Sequence, residues 1–322
     1  MKLGTGCCML LAMLAAPQMT AAQTYPTKPV RLITPTGAGG SLDTMARMVA
    51  QKLTEAWGQQ VIIDNRPGSG GMLGAGAAAR SAPDGYTLLL ASNGNLATTQ
   101  ALYKNVPYDP VADFAPISLV ASNPYVLVAH PSLPANNVRE LVRLAKSQPG
   151  EINVASSGNG STPHLALELL NTMAGIKLMH VPYKTSPAGL TSVVSGETSL
   201  MFVGVVAALP FVKTSRLRPL AVASDQRLSV LPDLPTIAAS GVPGYEASNW
   251  AGLLAPAGTP QDVIARVHRD TVKTLQTPEM RQHFHSQGLE VVGSNPGEFA
   301  AFIKSEIAKW TKVIRESGAK VQ

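Results

Sequence analysis

Short runs of apolar residues alternate in the first hundred positions with longer segments whose apolar residues recur every three or four positions. The runs at Val30–Thr34, 61–63 and 86–91 are typical of buried strands. The first run is followed by Leu42, Met45, Ala46, Val49 and Leu53 at helical spacing, and a helix of small residues is predicted over 72–80. This β-α-β-α-β order predicts a parallel sheet with helices on its faces.

The same alternation returns in the middle of the chain, so the sequence predicts two similar units. Helices are predicted over 138–147, 162–173, 188–195 and 206–213, and strands over 153–155, 178–181, 199–203 and 219–223. Thr162 followed by Pro163 predicts the N-cap and first turn of the second of these helices.

Two places are interpreted as crossings between the units. The apolar run over 117–129 is interrupted at Asn123-Pro124, and a strand over 250–254 follows a proline-rich loop. Helices beginning at Thr259-Pro260, at Pro278 and over Pro296–Ser317 then return to the first unit. We therefore predict an α/β fold of two lobes with a cleft between them, each lobe a mainly parallel sheet flanked by helices. Lobe 1 would contain residues 23–122 and 248–322, and lobe 2 would contain residues 123–247.

A glycine-rich loop follows the first strand of lobe 1, and a second lies in lobe 2. The first contains Gly37, Gly39 and Gly40 and the second contains Gly158 and Gly160, each directly before a predicted helix. The first amides of a helix have no partner within it, and the helix dipole makes this end positive, so such a loop can bind an anion. Ligands of such sheets bind beyond the carboxyl ends of the strands. Two such loops therefore predict two lobes that face one anion.

Composition narrows the functional classes. The 322 residues carry a formal net charge of +6, but only 14% are charged and no dense run of lysine and arginine occurs, which argues against nucleic-acid binding. Residues 1–22 have the features of a signal peptide cleaved near Ala22: Lys2, then an apolar run over 7–16 that is too short to cross a bilayer. Both cysteines, Cys7 and Cys8, lie in this segment, so we expect no disulfide or thiolate chemistry in the mature chain.

The sequence contains none of the common catalytic and metal-binding motifs. The sequence has no G-x-S-x-G, H-E-x-x-H or C-x-x-C motif and no Walker lysine after either glycine loop. We therefore predict that the protein is not an enzyme and binds no metal and no cofactor. A hydrolase that uses Ser161 and His164 stays as an alternative, although no orienting carboxylate is evident in that segment.

Six motifs follow one another along nearly the whole mature chain. They are Pro35-Thr-Gly-Ala-Gly-Gly-Ser-Leu-Asp43, Asn65-Arg-Pro-Gly68, Pro83-Asp-Gly-Tyr86, Ser156-Ser-Gly-Asn-Gly-Ser-Thr-Pro-His164, Val181-Pro-Tyr-Lys184 and Leu254-Ala-Pro-Ala-Gly-Thr-Pro260. Together they resemble the extracytoplasmic solute receptors of tripartite tricarboxylate transporters, the Bug-type receptors. The resemblance implies a type II-like periplasmic binding protein that closes around a small organic carboxylate and delivers it to a membrane permease. A ligand-sensing receptor for a signalling partner has the same fold and stays as an alternative. We expect a periplasmic monomer.

In this family, main-chain amides and ordered waters at the two facing loops hold the carboxylate. Carried over residue by residue, the resemblance implies a ligand site formed by Thr36, Ala38, Gly39, Asp43, Ser92 and Asn93 in lobe 1 and by Ser157, Asn159, Gly160, Ser161, His164, Tyr183 and Val203 in lobe 2. Two of these residues have an alternative role: Asp43 as an acid that stabilises its helix dipole, and His164 as a structural histidine.

The sequence departs from the family pattern at three positions. Thr36 stands where many relatives have Phe, Thr185 where Gly is usual, and Val203 where an Asp often follows Met-Phe. In the family, that Asp can receive the amino group of a ligand. Its absence predicts a ligand that is not an amino acid but a less polar or larger acid.

Overall fold

The computed structural model describes residues 25–39 and 41–319. Its strands are β1 Val30–Thr34, β2 Val61–Asn65, β3 Thr87–Ser92, β4 Phe114–Asn123, β5 Tyr125–Ala129, β6 Asn153–Ser156, β7 Met179–Pro182, β8 Leu200–Gly204, β9 Arg218–Val222, β10 Asn249–Pro256 and β11 Glu290–Val291. Its α-helices are α1 Ser41–Trp57, α2 Met72–Ala79, α3 Thr99–Leu102, α4 Val138–Ser147, α5 Thr162–Ala174, α6 Ser186–Val194, α7 Val205–Lys213, α8 Gln261–Leu275, α9 Pro278–Ser286 and α10 Pro296–Ser317.

These strands form two mixed sheets, one in each lobe. The strand order is β11-β4-β10-β3-β1-β2 in lobe 1 and β7-β6-β8-β5-β9 in lobe 2. The predicted two-lobed α/β fold is confirmed, but the sheets are not mainly parallel, because antiparallel pairs form around β5 and β10 and at β11. The route of the chain explains the difference. Both β5 and β10 enter their sheets from the other lobe, so they run against the strands that end there.

The chain passes between the lobes at a region that we call the hinge, formed by Pro124 and the residues before β10. Asn123 at the end of β4 pairs with Asn249 at the start of β10, and Tyr125 at the start of β5 pairs with Gly204 at the end of β8. In lobe 1, β1 and β2 run parallel to β3, and in lobe 2, β6 and β7 run parallel to β8. The carboxyl ends of all these strands therefore lie on the hinge side of their sheets.

Helices cover both faces of each sheet. In lobe 1, α1, α8 and α9 pack on one face and α2 and α10 on the other, and in lobe 2, α4 and α5 lie opposite α6 and α7. One apolar cluster continues from Leu89 and Phe299 in lobe 1 to Leu127 and Leu165 in lobe 2, and α10 packs against α5. The two lobes therefore share part of their core.

The C-terminal helix α10 contacts the start of β10 at the hinge and stabilises it. Glu306 is 3% exposed, and its Oε2 accepts hydrogen bonds from Nε1 of Trp250 at 2.8 Å and from Nε1 of Trp310 at 2.9 Å. Lys309 forms ion pairs with Glu306 and with Glu246, which precedes β10. A buried carboxylate requires such partners, because burial of an unpaired charge is costly. Helix α10 thus holds the start of β10 in place.

Most predicted elements are present with ends shifted by a few residues, but four short ones were not predicted. They are a 3-10 helix at Ser69–Gly71, a π-helical turn at Gly94–Thr98, α3 and β11. Elements of two to five residues are too short to show a hydrophobic period. The predicted N-cap of α5 was wrong by one position. Ser161, not Thr162, has the extended backbone of an N-cap, and its side chain accepts from the amide of His164.

The predicted signal peptide, residues 1–22 with Cys7 and Cys8, lies outside the described residues, as does Gly40. Within residues 25–39 and 41–319, no helix has both the length and the apolar character needed to cross a bilayer.

Candidate functional site

The first glycine loop connects β1 to α1 and is fixed by Asp43, the third residue of α1. Asp43 is 1% exposed, and its carboxylate accepts hydrogen bonds from the amide of Gly39 (2.8 Å), Nδ2 of Asn65 (2.8 Å) and Nε of Arg47 (2.9 Å). Burial alone would raise the pKa of the Asp43 carboxyl, but the bonds from Arg47, Gly39 and Asn65 outweigh burial and hold that pKa below its usual value. Asp43 is therefore ionised and holds the loop against the helix.

The second glycine loop, between β6 and α5, repeats this arrangement with a different side chain. His164 is the third residue of α5, and its Nδ1 accepts a hydrogen bond from the amide of Gly160 at 3.0 Å. A ring nitrogen that accepts carries no proton, so His164 is neutral with its proton on Nε2. Gly39 and Gly160 each lie two residues before their helix, with positive φ angles of 83° and 73° that favour glycine. In both loops, a hydrogen bond from a glycine amide to the third residue of the following helix therefore closes the loop.

The closing bonds use the amides of Gly39 and Gly160, which leaves other loop amides for a ligand. Among the described residues, four loop residues take no part in any hydrogen bond: Gly37, Ala38, Ser157 and Asn159. Three of them are exposed and Ser157 is half-buried. Free N–H groups just before a helix are favourable for an anion. Two groups of free amides thus lie at the hinge-side edges of the two sheets.

The end of β3 adds a third polar element beside the first loop. Ser92 Oγ donates to Oδ1 of Asn95 at 3.0 Å, and Nδ2 of Asn95 donates to the carbonyl of Gly70 at 2.9 Å, which ties the π-helical turn to the loop before α2. Asn93 is fully buried, and within the described chain neither Oδ1 nor Nδ2 of its side chain has a hydrogen-bond partner. Buried carboxamides are normally satisfied, so this side chain is suited to a ligand or a bound water. Turns of the π type are often found at functional sites.

Three other predicted site residues have contacts of their own, and two of the three are directed away from the loops. The carbonyl of Thr36 accepts a bond from Nδ2 of Asn65 at 3.3 Å. The hydroxyl of Tyr183 donates to Oε1 of Glu197 at 2.9 Å, and Glu197 precedes β8 at the end of the sheet away from the hinge. Val203 is 1% exposed and packs in the apolar core of lobe 2. The structure thus places the Tyr183 hydroxyl and the Val203 side chain away from the two loops.

Ser161 and His164 are not arranged as a nucleophile and its base. Ser161 Oγ donates to the carbonyl of Gly158 at 2.7 Å and accepts from the amide of His164 at 3.4 Å. The acceptor nitrogen of the neutral His164 ring is already bonded to Gly160. This arrangement does not support proton transfer from serine to histidine. In the part of the chain that the structure describes, no group of three His, Cys, Asp or Glu side chains is placed to hold a metal ion.

Residues that support the loops were not predicted as site residues: Arg47, Asn65, Asn95, Ser156 and His180. Asn65 lies within one of the family motifs, which was the available signal for it. His180 directly precedes one of these motifs but is not part of it. In the structure, β6 and β7 are neighbours, and the His180 ring stacks on His164 with centroids 3.8 Å apart. This proximity comes from the tertiary fold and has no local sequence signal.

A cavity of about 550 Å³ lies at the flank of the hinge and not between the two loops. Its lining includes Ser122 and Pro124 from the first crossing, Ser224 and Ser248 from the second, and Glu290 of β11. Because both crossings line this cavity, its shape depends on the angle between the lobes.

Comparisons with known proteins agree with this architecture. A family model described as "Tripartite tricarboxylate transporter family receptor" matches residues 45–319. Protein BugT of Bordetella pertussis is 37% identical over 310 residues, which cover 96% of this chain and 94% of that protein.

Two similar solved structures contain carboxylates. The R. palustris structure with adipate matches with a TM-score of 0.78 and 36% identity over 92% of this chain and 100% of that chain. MatC from Rhodopseudomonas palustris with bound malate matches with a TM-score of 0.73 and 30% identity over 90% of this chain and 100% of that chain. The matched family is one of solute-binding receptors, not of enzymes. This chain belongs to the tripartite tricarboxylate transporter receptor family and is similar throughout to its Bug-type members.

Proposed function

We propose that the protein captures a small organic carboxylate in the cleft between its lobes and delivers it to the membrane permease of a tripartite tricarboxylate-type transporter. The observation that carries this proposal is the pair of loops with free amides, at Gly37 and Ala38 in lobe 1 and at Ser157 and Asn159 in lobe 2. Carboxylate oxygens accept hydrogen bonds from such amides, and the positive ends of α1 and α5 add to the attraction. The adipate and malate in two similar structures support the same ligand class.

The remaining site residues are proposed to act in two ways. Asn93, with its buried unpaired carboxamide, and Ser92 beside it would meet a polar group of the ligand or a bound water. Asp43 and His164 would act indirectly, because their side chains hold Gly39 and Gly160 and so set the direction of the neighbouring amides.

The proposed ligand has no amino group. Where relatives often have an Asp, this chain has Val203, which is buried in an apolar core and offers no negative charge to an ammonium group. Dicarboxylates are therefore expected to bind more tightly than acidic amino acids of the same length.

The proposed location is the periplasm, after removal of residues 1–22, and the proposed state is a monomer. A similar structure described as periplasmic binding protein BugD supports this location.

We also propose that lobe 1 comprises 23–122 and 248–322 and lobe 2 comprises 123–247. The change of sheet at Pro124 and again before β10 supports these boundaries.

Ligand-dependent stability tests the proposal. Dialysed protein is unfolded with denaturant in the presence of adipate, malate, other di- and tricarboxylates, glutamate, aspartate and, as a cationic control, putrescine. At a concentration a hundredfold above its Kd, a carboxylate should raise the free energy of unfolding by about 2.7 kcal/mol. Absence of a shift with every acid would contradict the proposal, and a larger shift with glutamate than with dicarboxylates would contradict the ligand class.

A further inference from the structure

Two histidines lie stacked below the second glycine loop. The ring centroids of His164 on α5 and His180 on β7 are 3.8 Å apart, and the ring planes differ by 7°. Nε2 of His180 lies 2.6 Å from Oγ of Ser156, the last residue of β6. Burial, together with repulsion from any charge on His164, lowers the pKa of His180 to about 4, while Glu168 acts in the opposite direction. The His180 ring is therefore neutral at neutral pH.

The stacked pair is connected to the loop at two points. Ser156 Oγ accepts a hydrogen bond from the amide of Gly158 at 3.0 Å, and Nδ1 of His164 accepts one from the amide of Gly160 at 3.0 Å. These bonds hold the residues on either side of Asn159, whose own amide is free among the described residues. The direction of the free amide thus depends on Ser156 and His164 together.

We propose that His180 is a positioning residue for the lobe 2 half of the carboxylate site, an inference that rests on the proposed function. Its side chain fixes Ser156 by a hydrogen bond and His164 by stacking, so one residue on β7 sets both attachments of the loop. In lobe 1, the corresponding support of Asp43 comes from Arg47 and Asn65. His180 acts on the ligand only through the loop.

Three variants separate these contacts. His180→Phe keeps a ring for stacking on His164 but cannot bond to Ser156. Ser156→Ala removes the same bond and also removes the Oγ that accepts from the amide of Gly158. His130→Phe is the matched control. Nδ1 of His130 lies 2.7 Å from Oγ of Ser132 in the same lobe, at the end of β5 away from the hinge.

Hydrogen exchange of the ligand-free protein, measured by mass spectrometry on the peptide that contains residues 157–161, tests the positioning of the loop. We expect about fivefold faster exchange in His180→Phe, as for the loss of one hydrogen bond, and at least as large an increase in Ser156→Ala, which also loses the acceptor of the Gly158 amide. The double variant should show no increase beyond that of Ser156→Ala, and His130→Phe should exchange like wild type. Wild-type exchange of this peptide in His180→Phe would overturn the inference.

Calorimetric titration with adipate and with malate tests whether the ligand uses the positioned loop. For the acid that binds wild type, we expect a Kd about tenfold higher in His180→Phe and unchanged in His130→Phe. A loosened loop with unchanged affinity would overturn the role of His180 in binding. If no acid in the panel stabilises the wild-type protein, the proposed function fails, whereas the exchange rates still decide whether His180 positions the loop.

Discussion

Asp43 and His164 occupy the same position in two helices and perform the same task with different charges. Each accepts a hydrogen bond from a glycine amide two residues before its helix. The carboxylate of Asp43 has three donors and a pKa below its usual value, so it keeps its acceptor at mildly acidic pH. The ring of His164 accepts through Nδ1 and carries no negative charge. The two helices therefore hold their glycine loops with acceptors of different charge.

Asp43→Ala is expected to lower the free energy of unfolding by about 3 kcal/mol, because it removes the buried acceptor of three hydrogen bonds, from Gly39, Asn65 and Arg47. The first loop should also loosen and carboxylate affinity should fall. Chemical denaturation and titration calorimetry measure both effects. Asp64→Ala is the control, since its more exposed ion pairs with Arg31 and Arg66 are expected to contribute about 0–1 kcal/mol. Equal losses in the two variants would contradict this interpretation.

The lowered pKa of His180 predicts a loss of stability in acid. Burial, and then repulsion from His164, holds this pKa at about 4 in the folded protein, against 6.5 for an ordinary histidine. As pH falls from about 6.5 to about 4, the unfolded chain binds a proton that the folded chain does not bind, so the free energy of unfolding decreases over this window. Above about pH 6.5, the contribution of His180 to stability is fully present. Denaturation curves at pH 7.5, 5.5 and 4.5 should show a smaller decrease in His180→Phe than in wild type or His130→Phe. Parallel decreases in all three proteins would be inconsistent with a perturbed His180.

Helix and strand positions were predictable wherever the sequence contains both a hydrophobic period and residues that mark the ends of the element. The bounds of α10 match the prediction, because Asn295 and Glu298 form a capping box at its start and Gly318 ends it in a left-handed conformation. The N-cap of α5 was predicted one residue too late, because Thr162 has the same capping chemistry as Ser161. Only the structure shows that the hydroxyl of Ser161 reaches the amide of His164.

Loss of the α5 cap should affect stability and binding together. Ser161→Ala is expected to cost about 1 kcal/mol of stability and to weaken carboxylate binding, because the cap also holds the carbonyl of Gly158. Ser161→Asn should restore most of the stability. Thr277→Ala, which removes the equivalent cap of α9 in lobe 1, should cost the same stability without changing affinity. Unchanged binding by Ser161→Ala would argue that the cap is unimportant for the site.

The sequence identified both glycine loops but not which of their amides are free. That distinction depends on side chains from other elements, Asn65 on β2 and His180 on β7, which reach the loops only after the sheets have formed. Likewise, the buried side chain of Asn93 at the end of β3 has no hydrogen-bond partner within the described chain, and no local sequence pattern indicates this. Local pattern thus predicts where a loop lies, and tertiary contacts decide which of its atoms are available.

The lobes touch each other beyond the hinge, at the turn after α9. Gly288 of lobe 1 faces the start of α7 in lobe 2 so closely that a β-carbon there would lie 2.6 Å from Val205 and 2.5 Å from Val206. Nearby, Ser229 of the loop after β9 donates to Oε1 of Glu290 at 3.1 Å. These contacts, with the shared core under α10, define the arrangement of the two lobes.

Gly288→Ala should push the lobes apart. Its φ of 66° already disfavours a side chain, and the new methyl group would collide with α7. Gly293→Ala is the matched control, because Gly293 has a similar φ of 69° but only an ordinary contact of 3.8 Å with Val272. Both variants should lose about 1–2 kcal/mol of stability. Only Gly288→Ala should increase the radius of gyration in X-ray scattering and weaken carboxylate binding, and equal behaviour of the two would refute the lobe contact.

The place of β10 in its sheet has a consequence for the order in which the protein is completed. This strand lies between β3 and β4, although it follows them by more than a hundred residues in the chain. While a ribosome is still making the last quarter of the chain, β5 to β9 already have all their neighbouring strands. At that stage β3 and β4 still lack β10, the strand that lies between them. The lobe that is begun first is therefore finished last.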